Sequence, residues 1–256
     1  MTRGGLTHWH GEPVATWRAL WGVPTFEAYE RIGSTNDRAK ELAAEPVNVF
    51  AVVIAAEQTE GRGRRGASWH SPPGSGLWMS VVLPNPRTGL HLPLLVGLAV
   101  AEAIQEANGA LRVGIEWPND LVVRGRKLGG ILCEGTPGAV VAGIGVNVRT
   151  PEGGFPTSLA GRATSLEQHG VKELRLKELA GLIVSALKRR LGEPTAFLVP
   201  DALSRLAVRD ALAGRPVLTA EHGPGVARGI EPDGALIVER EDGSRVRVVA
   251  GSVRPV

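Results

Sequence analysis

The nine residues Gly61-Arg62-Gly63-Arg64-Arg65-Gly66-Ala67-Ser68-Trp69 constrain this chain more than any other stretch. Three glycines remove side-chain bulk and permit positive φ, so the backbone can approach a ligand closely. Three arginines within the same six residues carry permanent charge and planar forks of donors that match phosphate or carboxylate oxygens. Charges this dense repel one another, so the stretch is expected to be a mobile loop when empty and to order around an anion. Trp69 adds a flat face for stacking or packing. On these residues alone, a solvated arginine–glycine loop that binds RNA loosely is an equal alternative. The flanking sequence decides between the two.

On the N-terminal side, Phe26 to Ile32 reads as a strand ended by Gly33. Ser34 is placed to cap a helix running to about Ala44, with Asp37 at its third position. Ser34, Thr35 and Asn36 thus gather hydroxyls, an amide and free backbone N–H groups at a strand-to-helix turn. Capping accounts for Ser34 but not for Thr35 and Asn36, which are poor helix formers. Val49 to Ala56 is an apolar, β-branched run and reads as a buried strand, with Gln58 at its end beside the base of the Gly/Arg loop.

On the C-terminal side, Leu77 to Leu83 reads as a strand, His91 to Asn108 as a helix apolar nearly all round, and Arg112 to Glu116 as a short strand. Trp117-Pro118-Asn119-Asp120 is a turn with polar groups at its tip. Leu121 to Val123 and Lys127 to Glu134 form a hairpin around Arg124-Gly125-Arg126. Gly129 and Gly130 suggest a bulge or a close backbone approach in the strand that Lys127 opens. In the strand Val140 to Val148, Gly143, Gly145 and Asn147 share one face. That face is either a flat pocket wall with one polar tooth or a strand thinned for tight packing.

An amphipathic stripe from Leu174 to Leu191 and a helical stretch from Ala202 to Leu212 follow. From Gly214 the texture changes to short strands, Pro216–Ala220, Val226–Glu231, Ala235–Glu239 and Val246–Val249, with Asp233-Gly234 and Asp242-Gly243 as turn signals. The expected organisation is a lead over 1–24, a main domain over 25–213 and a small SH3-like barrel over 214–256. The lead carries Trp9, Trp17 and Trp21, is too short for a helix-turn-helix domain, and is expected to be a mobile or partly packed terminus.

Composition narrows the function classes. Over 256 residues, 29 Lys+Arg against 26 Asp+Glu give a net charge of +3, mild cationic character and not a nucleic-acid tail. The single cysteine, Cys133, excludes an intramolecular disulfide framework and a Cys-rich zinc site, and points to a reducing compartment, hence the cytoplasm. The longest apolar run, Leu92 to Ile104, is too short and too interrupted to span a membrane.

Taken in order, STN (34–36), GRGRRG (61–66) with Trp69 after it, WPND (117–120), KLGGIL (127–132), GIGVNV (143–148) and the terminal strands resemble a biotin protein ligase across nearly the whole chain from Phe26. The absence of a winged helix resembles the monofunctional ligases, so no DNA binding is expected. The resemblance implies an α+β fold of the class II aminoacyl-tRNA synthetase and biotin-ligase type, a mixed, largely antiparallel sheet flanked by helices. It implies activation of biotin by ATP to biotinyl-5′-AMP, then transfer to a lysine of a biotin carboxyl carrier protein domain. By the same resemblance, Ser34, Thr35, Asn36, Gln58, Arg62, Gly63, Arg64 and Lys127 hold biotin. Arg64, Trp69, Asn119 and Asn147 hold ATP, and Lys127 and Arg64 are catalytic. Mg²⁺ is expected with ATP; its ligands are unassigned, Asp120 being a polar neighbour. A homodimer through an exposed sheet edge fits the pattern. One position departs from it: the family usually has Lys before WPND and this chain has Glu116, to which no catalytic role is assigned. The other readings are a lipoate or octanoate ligase-like acyltransferase, a nucleic-acid-binding module and a biotin-binding protein without catalysis.

Overall fold

The structure, a computed structural model, describes residues 4–84, 89–171, 174–191 and 197–256. Met1 to Arg3 of the lead lie outside them. A two-residue antiparallel pair, β1 (His8–Trp9) and β2 (Glu12–Pro13), precedes helix α1 (Val14–Trp21). The lead is packed: the Trp9 ring lies 5.7 Å from both Trp17 and Trp21 and 5.5 Å from Phe26, all near edge-on. Trp17 Nε1 donates to the Trp9 carbonyl at 2.8 Å, so this aromatic cluster is pinned as well as buried.

There follow β3 (Phe26–Ile32), α2 (Thr35–Leu42), β4 (Val52–Gln58), β5 (Gly76–Pro84) and α3 (His91–Asn108). Next come β6 (Gly114–Glu116), β7 (Asp120–Val123), β8 (Arg126–Thr136), β9 (Ala139–Asn147), α4 (Leu176–Leu191) and α5 (Pro200–Arg209). The strands form one sheet in the order β3-β4-β5-β9-β8-β7-β6. Only β3 and β4 run parallel, joined by the α2 crossover; the other neighbours are antiparallel. β4 starts later than its apolar run suggests, because Pro46–Asn48 form a 3₁₀ turn and Phe50 takes φ 69°. The expected bulge is present: Leu121 pairs with Gly129 but Val122 with Lys127.

Helices cover both faces of the sheet. α3, buried on nearly every side, packs with α4 against one face over Val52, Ile54, Leu77, Met79, Ile131 and Ile144. α2 covers part of the other face through Ala39, above Val53, Ala55, Val82 and Val141.

The C-terminal strands are β10 (Pro216–Thr219), β11 (Gly223–Ile230), β12 (Leu236–Glu239), β13 (Arg245–Val248) and β14 (Val253–Pro255). They form an antiparallel sheet in the order β13-β12-β11-β10-β14, bulged between Ala227 and Gly229. β14, short and ending in proline, carried no strand signal in the sequence. No ladder joins β13 to β14 among the described residues, so the sheet is open where a closed barrel was expected. Its apolar face (Val217, Ala227, Leu236, Val238, Val248 and Val253) belongs to the same core cluster as α3 and α4.

Candidate active site

A cleft of about 280 Å³ opens where the start of α2, the loop after β4, the inner strands β8 and β9, the β6–β7 turn and the segment Gly251–Val253 converge. Its floor is polar and uncharged. Ser34 sits at the N-cap in extended conformation (φ −150°, ψ 135°) but makes no capping bond with its side chain, contrary to expectation. Gln58 replaces it: Oε1 accepts from the Thr35 backbone N–H and from Thr35 Oγ1, both at 2.9 Å. The other end of Gln58 donates to Ser71 Oγ at 3.0 Å, and Ser71 donates to the Trp69 carbonyl at 3.2 Å. Thr35 and Asn36 are only 3% and 4% exposed, which explains two poor helix formers in the first turn: their partners are across the sheet. Ser80, fully buried on β5, lies 2.7 Å from Thr35 Oγ1 and donates to Asn36 Oδ1 at 2.6 Å.

The Gly/Arg loop is folded back on itself. Gly63 N donates to Ala67 O at 2.7 Å and Trp69 N to Gly61 O at 2.8 Å. Gly61 is required by close approach, since a Cβ there would lie 2.5 Å from the Trp69 carbonyl oxygen. The positive φ values fall on Arg65 (57°) and Gly66 (75°). The expected self-repulsion is relieved at Arg62 and persists between Arg64 and Arg65. Both terminal nitrogens of Arg62 bind the Asp37 carboxylate, which holds that carboxyl below its usual range. Arg64 Nη1 reaches the neutral Asn119 Oδ1 at 3.2 Å, so its charge is not cancelled. Burial and the neighbouring Arg65 both work against the Arg64 charge, lowering its pKa. The backbone of Gly63 also lines the cleft, and Asn119 is held in turn by its Nδ2 bond to the Ile131 carbonyl at 2.8 Å.

The glycine face of β9 is filled from outside. A Cβ on Gly143 would meet Asn36 Oδ1 at 2.4 Å, and one on Gly145 would meet Trp69 Cε2 and Nε1 at 2.6 Å. The wall is therefore thinned so that two side chains can lie flat on it. Lys127 Nζ stands 5.4 Å from the centre of the Trp69 ring and 2.8 Å from Asp120 Oδ2. Asn147 does not line this cleft: it is buried and its Nδ2 donates to the Thr164 carbonyl at 3.0 Å. The reason is its place at the strand end, where the segment after residue 162 crosses over it.

Glu116, given no role from sequence, lines the cleft beside Asp120. Burial and the Asp120 charge push its pKa up, against Lys127 and Arg215. Sequence reasoning missed Ser80, Glu134, Asp37 as the partner of Arg62, and the wall Gly251–Val253. Ser80 had a signal, one hydroxyl in an otherwise apolar strand; Gly251–Val253 had none. Among the described residues, no three His, Cys, Asp or Glu side chains cluster as metal ligands.

Residues 28–150 match the Biotin/lipoate A/B protein ligase family, and residues 219–254 match the Biotin protein ligase C terminal domain. The chain is 34% identical over 229 residues to the Bifunctional ligase/repressor BirA of Bacillus subtilis, covering 84% of this chain and 69% of that one. It is 33% identical to the Biotin--[acetyl-CoA-carboxylase] ligase of Paracoccus denitrificans, covering 84% of this chain and 95% of the relative. Among solved structures, the biotin protein ligase from Aquifex aeolicus in complex with biotin and ATP superposes with a TM-score of 0.80 at 28% identity, over 91% of this chain and 99% of that one.

Proposed function

The chain belongs to the biotin protein ligase family, and from that premise we infer that it activates biotin with ATP and transfers it to a lysine of a biotin carboxyl carrier protein domain. The observation that carries this reading is the juxtaposition within one cleft of an uncharged polar floor (Ser34, Thr35, Asn36, Gln58) and a cationic rim (Arg62, Arg64, Lys127). A cyclic urea suits the floor, because hydroxyls and amides offer it donors and acceptors without a desolvated charge. A carboxylate and an α-phosphate suit the rim.

In the first step a carboxylate oxygen of biotin attacks the α-phosphorus of ATP, the bond to the β-phosphate breaks, and pyrophosphate leaves. Two anions must approach, so fixed cations at the developing charge supply most of the acceleration. We assign this to Lys127 and Arg64, with Arg62 holding the carboxylate end and the Gly63 backbone lining it. Lys127 leaves Asp120 for the incoming oxygens, and Asn119 keeps Arg64 aimed. In the second step the acceptor lysine amine attacks the acyl carbon of the mixed anhydride, AMP departs with the bonding pair, and the amine loses a proton. Trp69, flat against β9, offers its outer face to the nucleotide base. Mg²⁺ would arrive on the triphosphate and screen it, with Asp120, once freed, as the protein carboxylate within reach. We assign this chemistry to residues 25–213 and the closing of the nucleotide end to 214–256.

The decisive experiment supplies the purified protein with biotin, MgATP and a carrier domain, and reads pyrophosphate release and a biotin mass gain on the acceptor lysine. Both are expected. Biotin binding without pyrophosphate would leave a binding protein, and acylation by octanoate or lipoate in preference to biotin would move it to the sister activity.

A further inference from the structure

Behind the neutral floor stands a carboxylate that none of these roles uses. Glu134, near the end of β8, accepts from Asn36 Nδ2 at 2.7 Å through Oε2 and from the Lys40 ammonium at 2.6 Å through Oε1. Lys40 also lies 3.7 Å from Asp37, which holds the fork of Arg62. Positive and negative groups thus alternate from the Gly/Arg loop, along α2, to the back of the floor. Burial opposes ionisation of Glu134, but the bonds from Lys40 and Asn36 outweigh it and its pKa lies below the ordinary value. It is a carboxylate and can only accept.

That fixes the polarity of the floor. A primary amide has two ends of nearly the same shape, and its partners decide which end points where. With Glu134 accepting, the Nδ2 end of Asn36 faces Glu134 and the Oδ1 end faces Ser80 at 2.6 Å. Ser80 has one proton, and Asn36 Oδ1 takes it. The 2.7 Å contact between Ser80 and Thr35 is then a hydrogen bond only if Thr35 donates. The other partner of Thr35 Oγ1, Gln58 Oε1 at 2.9 Å, also accepts. In either case the Thr35 proton points into the protein and a lone pair faces the cleft. Gly143 locks the arrangement, since nothing larger leaves room for Asn36.

We propose that Glu134 is a positioning residue for substrate recognition: it orients Asn36 so that Asn36, and not Thr35, takes the Ser80 proton, which leaves Thr35 Oγ1 open to accept from a ring N–H of the bound vitamin. The proposal rests on the reading of this floor as the biotin site. Calorimetric titration of biotin into the wild type, E134L and E134Q tests it, with the KM for ATP measured in parallel. Loss of one oriented hydrogen-bond relay is expected to weaken biotin binding by about tenfold or more in E134L while the KM for ATP stays within about twofold. E134Q, whose amide oxygen can still accept from Asn36, is expected to stay within about threefold of wild type. If E134L does not fold, N36D and the double variant N36D/E134Q replace it. The first sets two carboxylates against each other and loses biotin, and the second restores a donor–acceptor pair and regains affinity. Wild-type biotin affinity in E134L, an equal loss of biotin and ATP affinity, or no recovery in the double variant would overturn the proposal. A wild-type protein that takes no biotin would bring down the functional reading itself, and this proposal with it.

Discussion

Single residues in this cleft hold charges whose partners can be exchanged. Lys127 rests on Asp120, with side chains 38% and 26% exposed, and Arg62 rests on Asp37, with side chains 34% and 49% exposed. Such pairs are worth about 0–1 kcal/mol, so a substrate that brings a carboxylate and phosphates can displace them. Lys127→Ala should therefore leave biotin affinity within about twofold and slow adenylate formation by about 100- to 1000-fold, the usual cost of losing one preorganised contact to developing charge. Biotin-dependent exchange of pyrophosphate into ATP reads this, and undiminished exchange would take Lys127 out of the mechanism. Glu116 poses the opposite case, a carboxylate held among its own kind. Its folded-state pKa is raised by burial and by Asp120. The ionised form therefore costs stability, beginning as pH climbs past the unfolded value and reaching its full size above the folded one. Glu116→Gln should raise Tm at pH 7, and the gain should vanish toward pH 4. Glu116→Lys, which puts a cation at the nucleotide end, should lower the KM for ATP by roughly three- to tenfold, as one screened charge contact allows. A Tm gain independent of pH, or an unchanged KM, would show that Glu116 feels neither field.

At the scale of elements, the sheet works as a surface on which other parts of the chain are laid. β9 presents glycines at 143 and 145 so that Asn36 from α2 and Trp69 from the loop can each cover one. Gly145→Val should lift Trp69 off the strand, at about 1–3 kcal/mol for an overpacked contact. Limited proteolysis of the loop Gly61–Trp69 would then be fast with or without biotin, whereas the wild type should be protected once biotin or the adenylate is bound. Equal cleavage of both proteins in both states would mean that Trp69 does not hold the loop down. The elements themselves were legible wherever pattern and punctuation agreed. β3 ends at Gly33, and α3 spans His91–Asn108, the residues its nearly all-round apolar pattern marks out. Their cross-sheet partnerships were not legible. Thr35 meets Gln58 across 23 residues and Asn36 meets Glu134 across 98, and no local propensity encodes a hydrogen bond of that span. Alternation along β9 likewise gave the face that Gly143, Gly145 and Asn147 share but not the segment that crosses the strand's end, where Asn147 donates to the Thr164 carbonyl.

For the whole molecule, the relation between the two sheets decides whether the cleft is complete. Sequence placed the change of texture near Ala213 but left open what the last strands do. The structure seats them on the main unit at the point where the β6–β7 turn begins. Trp117, 2% exposed, donates from Nε1 to the Gly234 carbonyl at 2.9 Å. Gly234 takes φ 92° and lies so close to the start of α3 that a Cβ would meet His91 N at 2.5 Å. Through that seat, Gly251–Val253 reach the cleft beside Arg65 of the Gly/Arg loop. The floor, by contrast, is built from α2, β4 and β5 and draws nothing from the second sheet. Trp117→Phe keeps the ring but leaves the buried Gly234 carbonyl without its partner, a cost of about 1–3 kcal/mol. For a chain of this size that is roughly 2–10 °C in Tm. If the second sheet closes the nucleotide end, the loosened seat should raise the KM for ATP several-fold while biotin affinity, measured without nucleotide, stays as it was. Equal loss of both affinities would mean the seat supports the whole cleft, and loss of neither would mean that Gly251–Val253 line it without serving it.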